Sequence, residues 1–307
     1  MRVNLTTDPR SIEAEWWRLW RADPHATPFQ SPAWLIPWAE AFVTRSAGIL
    51  TLELDGALAA LLPVFRHKGR WLPWGAGTSD WLDGVYAPGF DAALLAVLVA
   101  GLDAPLDLFQ LPPDSPWLRL PGSEVRAADP CLAVSLPAAV PRQMAHNLAY
   151  YRRRAARAGI GAPVCCGPEA FGDLVALHTR RWRQQGEQGV LTDPRVLAWH
   201  REALPRLAAA HLLRLYAVRQ EHRTVGVLYV LAGRSAHYDY IGGFDPDLAS
   251  CGLGTILVGH ALTVAERDGA RTFDFLRGSE AYKYHWGATE RASYARLVVP
   301  AGFSRAA

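Results

Sequence analysis

AHYDYIGGFDPDLASCGLGTILVGHALTVAERDGARTFDFL, residues 236–276, reads as a strand, a glycine-containing loop, a helix and a second strand in that order. Aromatic and β-branched residues fill Ala236–Gly243, and apolar residues recur at helical spacing from Leu253 to Arg267. By strand alternation, Tyr238 and Tyr240 share one face, whereas His237, Asp239 and Ile241 share the other. Asp239 or His237 is placed to accept a proton from a bound molecule; packing within a sheet is the competing use of such a face. Between strand and helix lies Ser250-Cys251-Gly252-Leu253-Gly254-Thr255. Glycines there permit close backbone approach, and the first amides of a helix lack intrahelical acceptors, so Gly252, Leu253, Gly254 and Thr255 suit a phosphate or pyrophosphate. A loop that needs glycine only for its backbone angles is the alternative.

Upstream, Leu213–Val218 and Thr224–Leu231 predict a hairpin leading into this unit. The same order occurs earlier in the chain. Ile49–Leu54 and Ala57–Phe65 flank the turn pair Asp55-Gly56, a strand follows at Trp71–Gly75, then a helix at Asp91–Gly101 and a strand at Leu106–Leu111. A single offset of 167 residues pairs Leu58-Ala59-Ala60 with Val225-Gly226-Val227, Gly75 with Gly242, and Asp107-Leu108-Phe109 with Asp274-Phe275-Leu276. The expected fold class is therefore α/β (α+β), built as two pseudo-duplicated units with mixed central sheets flanked by helices. The halves are placed at 1–135 and 136–307. Further helices are predicted at Ser11–Arg21, Ser31–Phe42, Arg142–Ala158, Pro168–Gln185 and Asp193–Ala210, with Pro205 bending or interrupting the last.

Composition removes several function classes. The net charge of +3 over 307 residues is too small for a dedicated nucleic-acid binder. The strongest apolar run, Ala92–Leu102, is well short of the roughly 20 residues a membrane helix needs. The opening residues contain no apolar signal segment, and Cys131, Cys165, Cys166 and Cys251 form no CxxC pair, which together predict free thiols and a cytoplasmic protein. The ten histidines show no HxH or HExxH spacing, so no metal is expected.

The glycine loop fits neither rival phosphate motif. GxxxxGK followed by Ser or Thr is absent, and Leu257 stands where a dinucleotide fingerprint requires a third small residue. The corresponding stretch of the first half, Val85-Tyr86-Ala87-Pro88, has no GxG. Beyond the final strand, Asp274, Arg277, Tyr282 and Lys283 cluster at the carboxyl end, where ligand sites of α/β sheets open. Arg277 and Lys283 can hold anionic groups. An Asp274–Arg277 ion pair holding the strand end is the alternative, and cooperation of those two requires a bend before Gly278. In the first half, Asp80 and Asp83 offer paired carboxylates to a cationic acceptor, or simply build a turn. Tyr150 to Arg154 together with Arg157 form a basic, aromatic run that suits a nucleic acid or a solvated helix equally.

FDFLRGSEAYKYHWGA, Phe273–Ala288, resembles the C-terminal signature of the CelD/BcsL-type acetyltransferases of the GNAT superfamily, relatives of the FemAB-like double-GNAT transferases. SPAWLIPWAEAF and GTSDWLDG, near the N-terminus, are similar to that family's opening segments. The resemblance implies a degenerate first GNAT-like lobe and a competent second one. It also implies direct transfer of an acyl group, acetyl or another, from coenzyme A to an amine or hydroxyl of a small or carbohydrate-like acceptor in polysaccharide biosynthesis. On this pattern the loop at Gly252–Thr255 meets the cofactor pyrophosphate, and Tyr282 protonates the leaving thiolate, with Tyr284 as the competing tyrosine. Asp274 and Asp239 are the remaining catalytic candidates; Arg277, Lys283, Tyr240, Asp80 and Asp83 are the substrate-binding ones. The family's loop usually begins with Arg or Gln where this chain has Ala249. Two alternatives stand beside this expectation: a Fem-like aminoacyl transferase using charged tRNA, and a non-catalytic GNAT scaffold binding a polysaccharide-pathway partner.

Overall fold

The computed structural model describes residues 1–44, 46–122 and 124–300. In chain order the elements are β1 (Arg2–Thr6), α1 (Glu13–Ala22), α2 (Pro32–Phe42), β2 (Ala47–Leu54), β3 (Ala57–His67), β4 (Arg70–Pro73), β5 (Val85–Tyr86), α3 (Leu94–Val99), β6 (Leu106–Leu111) and β7 (Val125–Ala127). Then come β8 (Cys131–Ser135), α4 (Arg142–Arg157), β9 (Val164–Cys166), α5 (Phe171–Gln184), α6 (Pro194–Ala209), β10 (Leu213–Gln220), β11 (Arg223–Ala232) and β12 (Ala236–Phe244). The chain continues with α7 (Leu253–Arg267), β13 (Thr272–Arg277), α8 (Ala281–His285), β14 (Thr289–Arg291) and β15 (Tyr294–Val298).

Two sheets with matching topology result. One runs β1-β2-β3-β4-β6-β15-β7 with β5 beside β3, and the other, taken in the same sense, runs β9-β10-β11-β12-β13-β8-β14. In each, a hairpin leads to one parallel pair, β4–β6 in the first and β12–β13 in the second, and β1–β2, β2–β3, β3–β4, β3–β5, β6–β15, β15–β7, β9–β10, β10–β11, β11–β12 and β13–β8 are antiparallel. The fold is thus mixed α/β with two mixed sheets flanked by helices, as the repeated element order predicts. The hairpin turn also follows the sequence: Asp55 and Gly56 take φ of 50° and 78°, the left-handed pair that a two-residue turn requires.

The halves differ from the 1–135 and 136–307 division. One compact unit comprises Met1–Pro130 together with the C-terminal stretch from Arg291, and the other comprises Cys131–Glu290. The reason lies in one strand position. In the first sheet β15, from the chain's end, sits between β6 and β7; in the second, β8, from the junction, fills the equivalent place between β13 and β14. Arg296 anchors this return within the first unit. It is 1% exposed and its guanidinium donates to the carbonyls of Trp117 and Leu120.

Smaller differences have local causes. Pro205 does not interrupt α6, which buries Val196, Trp199, Ala203, Leu204 and Leu207 and continues through it, one missing hydrogen bond being offset by that packing. The helix expected from Pro168 begins as a 3-10 turn, Pro168–Ala170, before α5. The first unit's core gathers Leu50, Leu62, Leu95, Leu98, Leu106, Leu108 and Trp117. In the second unit, Leu228 and Val230 of β11 pack with Leu253, Ile256, Leu257 and Ala261 of α7. None of the four cysteines is in a disulfide, and among the described residues no helix is long and apolar enough to cross a membrane.

Candidate active site

The second unit's site begins with a break in a sheet. β12 and β13 pair in parallel only from Ala236–Tyr238 against Thr272–Asp274. Beyond that, β12 is irregular: Tyr229 lies opposite Ile241 but Val230 opposite Asp239, so Tyr240 is an inserted residue. Directly opposed residues share a face, so Asp239, Gly242 and Phe244 all stand on the side of Val230, Leu228 and Gly226, over which α7 packs. Strict alternation fails here, and it is the bulge that brings an odd and two even positions together. Tyr240 is turned instead into an aromatic group with His200 and Tyr229, at ring distances of 5.8 and 5.2 Å, and does not line the site.

β13 turns away from β12 at Leu276, whose φ is 62°. The Asp274 carboxylate, fully buried, holds that turn by accepting from the Leu276 amide at 2.8 Å. Lys283, 2% exposed, occupies the opening behind it and donates to the carbonyls of Leu276, Arg277 and Gly278 at 3.2, 2.7 and 3.1 Å and to Glu280 at 2.8 Å. These contacts correct two sequence assignments. Asp274 is committed to the backbone rather than to a reacting group, and Lys283 satisfies freed carbonyls rather than a substrate anion. Arg277 is exposed at the strand end and is likewise outside the cavity lining.

Removing this lysine gives a sharp stability prediction. Lys283→Met leaves three carbonyls and Glu280 without their donor, which costs about 3 kcal/mol by analogy with broken buried ion pairs. Chemical denaturation should register that loss, and a variant as stable as the wild type contradicts the structural role.

Where β12 and β13 part, a cavity of about 580 Å³ opens, lined by Asp239, Gly242, Phe244, Tyr282 and the start of α7. Gly252, Leu253, Gly254 and Thr255 all border it. Gly252 is the N-cap of α7 at φ 62° and ψ 39° and supplies no side chain to the helix amides. A Cβ there would lie 2.3 Å from the Tyr151 ring, so both backbone angle and close packing require glycine. The amide end of this 15-residue helix, without a side-chain cap, therefore borders the cavity.

Asp239 is 9% exposed, and burial pushes its carboxyl up to about 7 against the moderating charge of Lys283. Tyr282, half-exposed on α8, sits edge-on to Phe275 at 6.2 Å. Burial, then the Asp239 carboxylate, raises its phenol well above the usual tyrosine value, which keeps the proton on the oxygen. A protonated phenol and a carboxyl that titrates near neutrality thus border one cavity. Tyr284 instead donates to Glu290 at 2.9 Å.

Asp80 and Asp83 belong to the first unit and do not join this lining. Asp83 accepts from the Gly84 amide and the Tyr86 hydroxyl, both at 2.7 Å, and burial pushes it up to about 7. The arrangement is a turn built around a half-buried acid. Sequence reasoning missed Met144 and Asn147 of α4, Arg181 of α5, and His285 and Trp286, and read Tyr151 only as part of a basic, aromatic run; all of them line the cavity. The spacing of 144, 147 and 151 is one helical face, a signal present in the sequence but hidden beside the run of arginines. Those arginines, 152, 153, 154 and 157, are exposed. Among the described residues no group of His, Cys, Asp and Glu is placed to hold a metal.

Comparison with known proteins follows the same division. Residues 142–284 match the family model described as an acetyltransferase (GNAT) domain. No curated relative matches the chain in sequence. Among solved structures, FemX superposes with a TM-score of 0.68 at 10% identity, covering 97% of this chain and 98% of that one. The L-PGS structure from Bacillus licheniformis gives 0.65 at 10% identity, over 99% and 96%. A GNAT-family acetyltransferase from Colwellia psychrerythraea gives 0.52 at 8% identity, over 97% and 100%. At these identities the likeness is one of fold. Residues 142–284 are accordingly similar to a GNAT acetyltransferase domain, within a two-unit α/β fold similar to that of FemX.

Proposed function

We propose that the second unit is an acyltransferase of the CelD/BcsL type that takes an acyl group, acetyl in the simplest case, from coenzyme A to a small or carbohydrate-like acceptor in polysaccharide biosynthesis. One observation carries this reading: the divergence of β12 from β13 puts the amide end of α7, the Asp239 carboxyl and the Tyr282 phenol around a single cavity. The donor's diphosphate would rest on the amides of Leu253, Gly254 and Thr255, whose partial positive charge suits an anion. The acceptor's amine or hydroxyl attacks the thioester carbonyl and the carbon–sulfur bond breaks. Asp239 takes the acceptor's proton, and the phenol of Tyr282 supplies one to the thiolate. Positioning and charge compensation supply the rest of the rate enhancement.

A thermal-shift screen with acetyl-CoA, longer acyl-CoAs and free coenzyme A tests the donor. A ligand at about 100 times its Kd contributes ~2.7 kcal/mol, equivalent to roughly 5–10 °C for a unit of this size. Unchanged melting with every thioester and with free coenzyme A contradicts the reading. The exposed arginines 152, 153, 154 and 157 on α4, the helix that also lends Tyr151 to the cavity, favour one second reading, aminoacyl transfer from charged tRNA. Its mark is tRNA binding that weakens steeply with salt and with removal of Arg152, Arg153 and Arg154.

A further inference from the structure

The cavity is lined by two ionisable side chains, Asp239 and Arg181, that form no ion pair among the described residues. Asp239 is nine-tenths buried and, among the described residues, makes no hydrogen bond or ion pair, although its carboxylate borders the open space. Burying a carboxylate without a partner is costly, and a cation brought by a ligand removes that cost. Arg181, projecting from the last turn of α5, lines the same cavity with its guanidinium 4.6 Å from the centre of the Phe244 ring, and no carboxylate among the described residues lies within ion-pair reach of it. Its neighbour Arg180 differs: it is bound to Asp245 at 2.8 Å and Asp247 at 2.5 Å, which fixes the end of α5 and so the place from which Arg181 reaches inward. Both side chains act on the Tyr282 phenol, Asp239 raising its pKa and Arg181 lowering it, so both address the reacting end.

We propose that the acceptor is an amino acid in the chemical sense, a small molecule whose amine seats on Asp239 and whose carboxylate seats on Arg181. This rests on the acyltransferase reading of the same cavity and selects an amine over a hydroxyl. An alcohol leaves the Asp239 carboxylate without a counter-charge, and an amine lacking an acid group leaves Arg181 open. The arriving ammonium pairs with the Asp239 carboxylate and gives it one proton. The free amine then forms the new carbon–nitrogen bond as the carbon–sulfur bond breaks, the thiolate takes its proton from Tyr282, and the proton shed by the acylated nitrogen returns to the Tyr282 phenolate. The volume of about 580 Å³ accommodates such an acceptor beside the thioester arm.

The test uses the full chain without donor, so that it does not depend on coenzyme A. Thermal shift is measured at millimolar concentration with the common amino acids, β-alanine and γ-aminobutyrate, each beside its carboxyl amide and its N-acetyl derivative. At least one amino acid is expected to raise Tm by several degrees while its amide and its N-acetyl form do not. Arg181→Gln should bring its affinity down about tenfold or more, to that of the amide, and Asp239→Asn should remove discrimination against the N-acetyl form. Equal shifts from acid and amide, no shift from any panel member, or a shift indifferent to Arg181→Gln overturns the proposal. Coenzyme A is titrated against the same variants. If Arg181→Gln weakens coenzyme A instead, the guanidinium serves the donor's phosphates and the proposal is also overturned. A coenzyme A shift without amino-acid selectivity removes this inference alone, whereas amino-acid selectivity without a coenzyme A shift removes the donor assignment alone.

Discussion

Asp239→Asn is expected to lower kcat/KM for acyl transfer by about 10²–10⁴-fold, the usual contribution of a positioned acid or base, and to erase an acidic limb in the pH–rate profile. The wild-type limb should fall as pH drops through about 7, because Asp239 must be ionised to accept a proton and burial pushes it up to about 7. Asn preserves shape and removes the base. Stability should move in the opposite sense. The native carboxyl binds its proton more tightly than the unfolded one, so its stabilising contribution is complete below about pH 4 and is lost as pH rises through about 7. Asp239→Asn should therefore melt above the wild type at pH 8, with the gap closing toward pH 5. Asp83, pushed up to about 7 by its own burial, leaves a residual slope of the same sign in both proteins. Tyr282→Phe should lower the rate without flattening the limb near pH 7. The double variant should lose less than the product of the two losses if both groups serve one transition state. An unchanged profile in Asp239→Asn removes this residue from the chemistry.

Gly254→Asp separates binding from folding. Gly254 lies in the first turn of α7, and a Cβ built on it meets the Phe244 ring at 3.4 Å, an ordinary contact. Replacing glycine by aspartate within a helix relieves only about 0.3 kcal/mol, and a carboxylate in the first turn is favoured by the helix dipole by roughly 0.3–1 kcal/mol. The free variant should be at least as stable as the wild type. Its carboxylate nevertheless occupies the place of the donor's diphosphate and repels it, so affinity for coenzyme A should fall about 100-fold or more, ~2.8 kcal/mol. Calorimetry showing unchanged affinity rules out this placement of the diphosphate. A variant that fails to fold contradicts the reading of Gly254 as open toward the cavity.

The parts legible in the sequence are those fixed by neighbours along the chain. The periodicity of Leu253–Arg267 gives α7 over the residues the structure assigns to it, and Asp55-Gly56 marks its hairpin because few other residue pairs adopt two positive φ values at low cost. The glycine loop and Tyr282 reach one cavity because the strand–helix junction and the carboxyl end of the following strand are adjacent in any such sheet. What escaped depended on distant partners. β8 and β15 are both only five residues long, and only the sheets decide that β15 belongs to the first unit. The bulge at Tyr240 shifts every later side chain of β12 to the opposite face, which no alternation rule detects. Lys283 reads as a free cation until Leu276, Arg277 and Gly278 turn their carbonyls toward it.

The seat of the donor's diphosphate at the start of α7 is tested most directly by titrating the full chain with coenzyme A and, in parallel, with pantetheine, which carries the same thiol arm without the diphosphate. The structure predicts that coenzyme A binds at least 100-fold more tightly, and that Gly254→Asp abolishes this preference while leaving pantetheine nearly unaffected. Equal affinity for the two ligands, or a preference that survives the substitution, contradicts it.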